Sequence, residues 1–219
     1  MNDGIDLDNP VLVALSKLFD LVMISIICLV LSIPIFTIGP STTALYYSVV
    51  KVLRRERGYI TKEYFKSFKL NFKKGAIISI ILIPAYIIIY FDFVYANFLL
   101  KQGNSLAYLL FGIFTIIGTV LVLTTLYIFP VLSRFELKLK ETFNNSLILS
   151  IRHLPSTIAM LLIIIIALLI LYTFPVAIVI MPATLTYFIS LLMEKVFKKY
   201  IPKDEKPQEK TKTDTWYME

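Results

Sequence analysis

Helix-breaking and hydroxyl residues are concentrated in one short stretch of this sequence, which reads IPIFTIGPSTTALYY from Ile33 to Tyr47. The stretch has no charged residue, but it has two prolines, one glycine and four serines or threonines. A helix that restarts after such a break presents backbone N–H groups, which can bind anionic or polar groups at membrane depth. The candidate helix-break and polar site therefore consists of Pro34, Thr37, Gly39, Pro40, Ser41, Thr42 and Thr43.

A structural interpretation of the same stretch stays open beside the binding site. One of Ser41, Thr42 and Thr43 would then cap a second helix, and the turn would fix the angle between two helices. The sequence does not decide whether the segment 35–50 re-enters the membrane.

A second pattern lies in the segment 61–74, TKEYFKSFKLNFKK, which we predict to be a helix capped by Thr61. Four lysines share one face, and three phenylalanines lie beside them. This arrangement is typical of a helix at the membrane surface, and a docking helix for a cytoplasmic partner is the alternative. The candidate interfacial or docking helix comprises Lys62, Phe65, Lys66, Phe68, Lys69, Phe72 and Lys73.

Residues for catalysis or metal binding are scarce. His153 is the single histidine and Cys28 the single cysteine, and Asp20 and Asp92 lie near the ends of apolar runs. One histidine does not make a metal site of the usual ligand count. No phosphate-binding loop, zinc-protease motif or nucleophile elbow is present. We therefore expect no enzyme activity, no metal and no cofactor, with a membrane enzyme as the least favoured alternative.

Long uncharged runs indicate the elements that position these residues. About 20 apolar residues cross a hydrocarbon core of about 30 Å, and the 219-residue chain is 58% hydrophobic. The uncharged runs are 21–50, 75–91, 102–133 and 154–193. They predict an all-α polytopic membrane bundle in one domain, residues 1–195. Its five spans lie at about 18–38, 75–95, 106–130, 156–173 and 175–193.

The distribution of positive charge predicts the topology. Basic residues collect on the cytoplasmic side of membrane proteins, and five spans place 20 of the 22 lysines and arginines on one side. The N-terminus is then outside and the C-terminus cytoplasmic, in a bacterial cell membrane. Four spans with a shallow last hairpin fit the charges equally well. A second cytoplasmic helix is expected over 135–153, and a disordered cytoplasmic tail over 196–219.

The predicted partners follow from the same charges. Anionic lipid attracts a basic surface, each nearby cation contributing about 1 kcal/mol. No motif supports a nucleic-acid partner.

The opening stretch and the loop after it resemble the YesL-like family of bacterial integral membrane proteins of unknown function. The segments that carry the resemblance are IPIFTIGPSTTALYY, KVLRRERG, YFKSFKLNFKKG and FNNSLILSIRHLP, and it covers most of residues 10–195. Members of this family often occur beside ABC-type carbohydrate uptake systems in Gram-positive bacteria. The resemblance implies a non-enzymatic protein accessory to such a system, with ABC transporter subunits as partners. The alternative is a small carrier with its polar site at the broken first helix.

Overall fold

A computed structural model describes residues 10–200 of the chain, with side chains from Leu15 onward. All regular elements in this range are helical, which confirms the predicted all-α class. The helices are α1 (Pro10–Leu31), α2 (Ile38–Ser48), α3 (Ile60–Lys101), α4 (Leu106–Arg134), α5 (Leu139–Arg152), α6 (Leu154–Thr173) and α7 (Met181–Phe197). Short 3-10 helices cover Ile35–Thr37 and Pro175–Val179, and α2 continues as a π-helix over Val49–Arg54. The predicted tail, 196–219, lies largely outside the described residues.

Three of the described helices, α3, α4 and α6, are long and apolar enough to cross a membrane. The predicted spans 75–95, 106–130 and 156–173 lie within them. The outer two predicted spans have different bounds from the helices. Helix α1 ends at Leu31 rather than at 38, and α7 begins at Met181 after a 3-10 helix instead of at 175. The number of spans in a bilayer stays a prediction.

The early end of α1 has a local cause in its side chains. Proline at position 34 disfavours helical backbone at the residue before it and cannot donate a helical hydrogen bond. The Thr37 hydroxyl then lies 2.5 Å from the carbonyl oxygen of Leu31 and 2.6 Å from that of Pro34. It thereby provides a partner for the carbonyl of Leu31, which the ended helix leaves without one.

The first two helices form a hairpin that begins at the end of the bundle where the basic loop between α2 and α3 lies. We call this the basic end of the bundle. Near the start of α1, Lys17 donates to Glu56 at 2.6 Å, in the loop between α2 and α3. At the start of α7, the Ala183 N–H donates to the Ser25 hydroxyl at 3.0 Å. Arg55, next to Glu56, lies 3.5 Å from Glu194 near the end of α7, so α1 is antiparallel to α7. We predicted that the start of the first span and this basic loop lie on opposite sides of the membrane. In the structure both lie at the same end of the bundle, because α2 brings the chain back to the end from which α1 starts. This arrangement disagrees with the predicted one, and the side of a membrane that this end faces stays a prediction.

Helix α3 joins two elements that the sequence predicts as separate. It contains both the basic segment 61–74 and the predicted second span, in 42 residues. At a rise of 1.5 Å per residue its length is about 63 Å, roughly twice the hydrocarbon core, so a large part of it lies outside the core. The helix begins at Ile60, and Thr61 does not cap it. A turn with positive φ angles at Glu56 (55°) and Gly58 (85°) precedes it.

Helices α2 and α3 approach so closely that only glycine fits at two positions. A Cβ atom on Gly75 would lie 2.7 Å from the nitrogen of Pro40. A Cβ atom on Gly39 would overlap the carbonyl oxygen of Gly75 and lie 2.5 Å from the hydroxyl oxygen of Ser79. Small residues let helix backbones pack closely in membrane bundles. This contact holds α2 in the interior, where every residue from Thr43 to Leu53 is buried.

Replacing either glycine of this contact should destabilise the bundle. We expect Gly39→Ala and Gly75→Ala to cost about 1–3 kcal/mol each, the usual range for overpacking. Gly112→Ala is the matched control, since no atom lies within 4 Å of its added Cβ. Thermal unfolding of the purified protein in detergent measures the difference. Equal unfolding temperatures for all three variants would contradict the close packing.

Candidate functional site

The predicted helix-break site is assembled in the structure, but its backbone donors are already used. The N–H of Ile38 donates to the carbonyl oxygen of Ile35. The N–H of Gly39 donates to the Ser79 hydroxyl at 2.7 Å, and Pro40 has no N–H to offer. The start of α2 therefore presents no row of N–H groups to a ligand, and the physical basis of an anion site there is removed.

The hydroxyl groups of this stretch bond within the protein and do not cap α2. The helix starts at Ile38, so the prediction that Ser41, Thr42 or Thr43 caps it is wrong. Thr43 donates to the carbonyl oxygen of Gly39 at 2.8 Å, and Thr42 lies 2.9 Å from that of Ile38. The Ser41 hydroxyl lies 2.8 Å from that of Tyr64 on α3. Backbone carbonyls one turn earlier are the usual partners of hydroxyls within a helix.

Exposure separates the seven predicted residues of the stretch further. Pro34 is exposed, and Thr42 is partly buried. The other five are buried: Thr37, Gly39, Pro40, Ser41 and Thr43. The five buried residues form a packed joint between α1, α2 and α3.

A buried group of charged residues lies where α2, α4 and α7 meet, and the sequence did not predict it. Glu194 on α7 forms an ion pair with Arg134, the last residue of α4, at 2.9 Å, and both side chains are almost fully buried. The Tyr46 hydroxyl on α2 donates to the other carboxylate oxygen of Glu194 at 3.0 Å. Arg55 approaches the same carboxylate at 3.5 Å. One carboxylate thus connects three helices.

The π-helical turn after α2 extends this arrangement to α3 and to a second point on α7. Lys51 pairs with Glu63 on α3 at 2.9 Å, with both side chains nearly buried. Arg54 donates to the backbone carbonyl oxygen of Ser190 at 2.7 Å. We call the six charged residues of this region the basic-end cluster: Lys51, Arg54, Arg55, Glu63, Arg134 and Glu194. Its contacts connect the π-helical turn to α3 and to α7.

Little in the sequence points to this cluster. Arg134 closes one apolar run and Glu194 follows another, so each resembles an ordinary solvated charge at the end of a span. A pairing between residues 60 positions apart depends on which helix ends meet. The one indication is the uninterrupted apolar run before Arg134 and before Glu194, which is typical of helix ends that are buried.

The predicted interfacial helix is the first part of α3, and its lysines and two phenylalanines are exposed. Lys62, Lys66, Lys69 and Lys73 lie on the exposed face. Phe65 and Phe72 are 43% and 39% exposed, and Leu70 is 70% exposed. Phe68 is half-buried and stacks on Tyr64 with 6.3 Å between ring centroids. The face therefore presents both cations and apolar side chains.

The second predicted cytoplasmic helix, 135–153, is shorter than expected. Residues 135–138 are not helical, and α5 begins at Leu139. The Glu141 side chain accepts a hydrogen bond from the backbone N–H of Lys138 at 2.9 Å, which fixes the start of the helix. Ile148 and Ile151 are 56% and 52% exposed on its outer face.

The described residues 10–200 contain no group of three side chains that could hold a metal ion. His153, the single histidine, lies between α5 and α6 with its Nε2 2.9 Å from the Tyr200 hydroxyl oxygen. Partial burial lowers the pKa of His153 from its ordinary value, and the nearby cations Lys199 and Arg152 add to this effect.

The fold defines an all-α bundle of the membrane-protein type, with three helices that suit a bilayer. Residues 18–93, which run from α1 into α3, match the family model described as "Protein of unknown function, DUF624". The chain is also similar to "Uncharacterized protein YteU" of Bacillus subtilis (strain 168), with 27% identity over 132 residues. That alignment covers 60% of this chain and 58% of the relative.

The predicted resemblance to a family of unknown function is thereby confirmed. The aligned part of the chain spans less than two thirds of the relative's length. No solved structure matches the chain.

Removing the charge of Glu194 should be strongly destabilising. Glu194→Gln leaves Arg134 in a buried site without its carboxylate, and losing one partner of a buried pair typically costs about 3–5 kcal/mol. Glu56→Gln is the control, since the Lys17–Glu56 pair is exposed and such pairs contribute little. Denaturant unfolding in detergent compares the two. A loss no larger for Glu194→Gln than for Glu56→Gln would contradict the structural role of the pair.

Acidification should weaken the bundle through His153. A histidine whose pKa is lowered on folding contributes stability that is complete above its unfolded pKa of about 6.5 and is lost as the pH falls. We expect the unfolding temperature of the wild type to drop more between about pH 7.5 and 5.5 than that of His153→Asn. An identical pH dependence in the two proteins would show that His153 does not contribute.

Proposed function

We propose that this chain is a non-enzymatic membrane protein that acts by contacting another membrane complex through the first part of α3. The observation that carries the proposal is the mixed face of this segment, where exposed Phe65, Leu70 and Phe72 lie among four exposed lysines. Exposed apolar side chains grouped on one surface are typical of interaction sites. The lysines add attraction to acidic groups of a partner or to anionic lipid.

The dimensions of α3 favour a position of this face outside the hydrocarbon core. The apolar part of the helix after Lys74 has 27 residues, which at 1.5 Å per residue rise about 40 Å, enough to cross the core alone. The basic first part then projects to the membrane surface or beyond it. A partner bound to the same membrane would meet this face.

The class of partner in this proposal comes from the resemblance. Proteins of the YesL-like kind often occur beside ABC-type carbohydrate uptake systems, and we propose subunits of such a transporter as the partner. The chain would then act as an accessory component in a bacterial cell membrane, without catalysis of its own. A carrier with a polar site at the start of α2 is not proposed, because the N–H groups of Ile38 and Gly39 are bonded internally.

Purification from native membranes tests this proposal. We expect tagged wild-type protein to retain transporter subunits in mild detergent, and Leu70→Asp to lose them, since a charge at this position disrupts an apolar contact. Tyr172→Ser is the matched control, because Tyr172 is 89% exposed on α6, away from α3's basic segment.

Two results would overturn the proposal. Retention of the subunits by Leu70→Asp would exclude this face as the contact. Absence of transporter subunits from the wild-type preparation would exclude the partner class. A photocrosslinker at position 70 distinguishes a partner contact from the alternative, a helix that binds only the membrane surface. In that alternative the crosslinks are to lipid alone.

A further inference from the structure

A cleft of about 330 Å³ lies between the α3–α4 pair and the α6–α7 pair, with part of α2 in its wall. Helix α6 packs mainly against α7, while α4 packs against α3 and α5, which leaves the cleft between α4 and α6. Its volume is within the usual range of small-molecule sites, about 300–1,000 Å³. The apolar walls are formed chiefly by Val122, Leu126 and Phe129 on α4, Leu161 and Ile164 on α6, and Ile189 on α7.

The helices that line the cleft favour a position in hydrocarbon. Three of the five helices that line it are those long and apolar enough to cross a membrane. The wall on α4 runs from Val122 to Pro130, which corresponds to about 12 Å of helix. A groove between helices that cross a bilayer would be in contact with lipid chains.

The polar groups of the cleft identify the chemistry of what it can bind. Five hydroxyl-bearing residues line it, and each has an acceptor within the protein. Tyr86 donates to Thr125 at 2.9 Å, and Thr125 donates to the carbonyl oxygen of Leu121 at 2.8 Å. Thr42, Tyr46 and Thr186 bond to Ile38, Glu194 and Pro182 respectively.

These hydrogen bonds distinguish an apolar occupant from a polar one. A sugar or an anion that enters the cleft loses its hydration and needs donors in return. The hydroxyl hydrogens of the cleft are already directed to internal acceptors, so such a ligand would gain little. An apolar chain requires no donor and covers the apolar walls.

On its α6 side the cleft ends before Thr157, toward the basic end of the bundle. There the Tyr127 hydroxyl on α4 lies 2.9 Å from that of Thr157 on α6, and both residues are fully buried. Met160 on α6 belongs to the same core. A chain inserted between α4 and α6 therefore meets the Tyr127–Thr157 contact on the α6 side of the cleft.

We propose that this cleft is a binding site for one acyl chain of a membrane lipid, inserted between α4 and α6. The occupant fills the space that α4 and α6 leave beside the Tyr127–Thr157 contact and so completes the packing of the bundle. The site is independent of the proposed contact through α3, because the two share no residue.

A photoactivatable lipid tests the site on the full chain. The protein is reconstituted with phosphatidylglycerol that carries a diazirine near the end of one acyl chain, transferred to detergent and irradiated. We expect irradiation to label Leu126, Leu161 and Ile164, because lipid in the cleft is retained through the transfer. The exposed residues Ile116 and Leu169 should stay unlabelled, since lipid at the outer surface exchanges with detergent.

Filling the cleft from either wall should remove the retained label. Leu126→Trp and Ile164→Trp fill it from opposite sides, so a folding defect in one does not decide the result. Leu169→Trp adds the same side chain on an exposed face and should keep the label. Three results would overturn the proposal: equal label in the cleft and on the outer faces, unchanged label in both filled variants, or crosslinks from the cleft to a second copy of the chain.

Discussion

The backbone contact between α2 and α3 at Gly39 and Gly75 is the constraint on which the other interactions depend. It fixes the start of α2 against the middle of α3, and a rigid helix then fixes where its other end lies. At that end Tyr46 contacts Glu194 at 3.0 Å and Lys51 contacts Glu63 at 2.9 Å. A methyl group added at the glycine contact would displace the helix and disturb both contacts. Close packing of small residues and directional bonds at the basic end therefore act on the same helix.

The basic-end cluster supplies specificity more than net stability. Helices in lipid gain no hydrophobic energy from meeting one another, so directional contacts decide which helix ends associate. Burying the Arg134–Glu194 pair costs desolvation that its Coulomb attraction roughly offsets, but any other arrangement would leave one buried charge without its counterpart. Because Glu194 also accepts from Tyr46, this penalty selects a single register among α2, α4 and α7.

The sequence predicted the features that depend on composition along the chain and missed those that depend on contacts across it. Apolar run length identified α4, α6 and the second part of α3, and the prolines at 34 and 40 marked the break after the first helix. The direction of α1 was missed because the five-span prediction has the chain cross once before the basic loop, whereas α2 is a buried segment that returns the chain to the end where α1 starts. The Arg134–Glu194 pair was missed because its members are 60 residues apart.

The surroundings of the hydroxyl residues of α2 show that they serve helix packing. A helix enclosed by others needs small side chains for close approach and cannot leave polar groups without partners. Serine and threonine meet both needs, because they are small and their hydroxyls bond to carbonyls one turn earlier, as Thr43 does to Gly39. The same composition that resembles a polar binding site is thus what a buried helix in a membrane bundle requires. Recognition by this protein is then expected where side chains remain unenclosed, on the first part of α3 and in the cleft between α4 and α6.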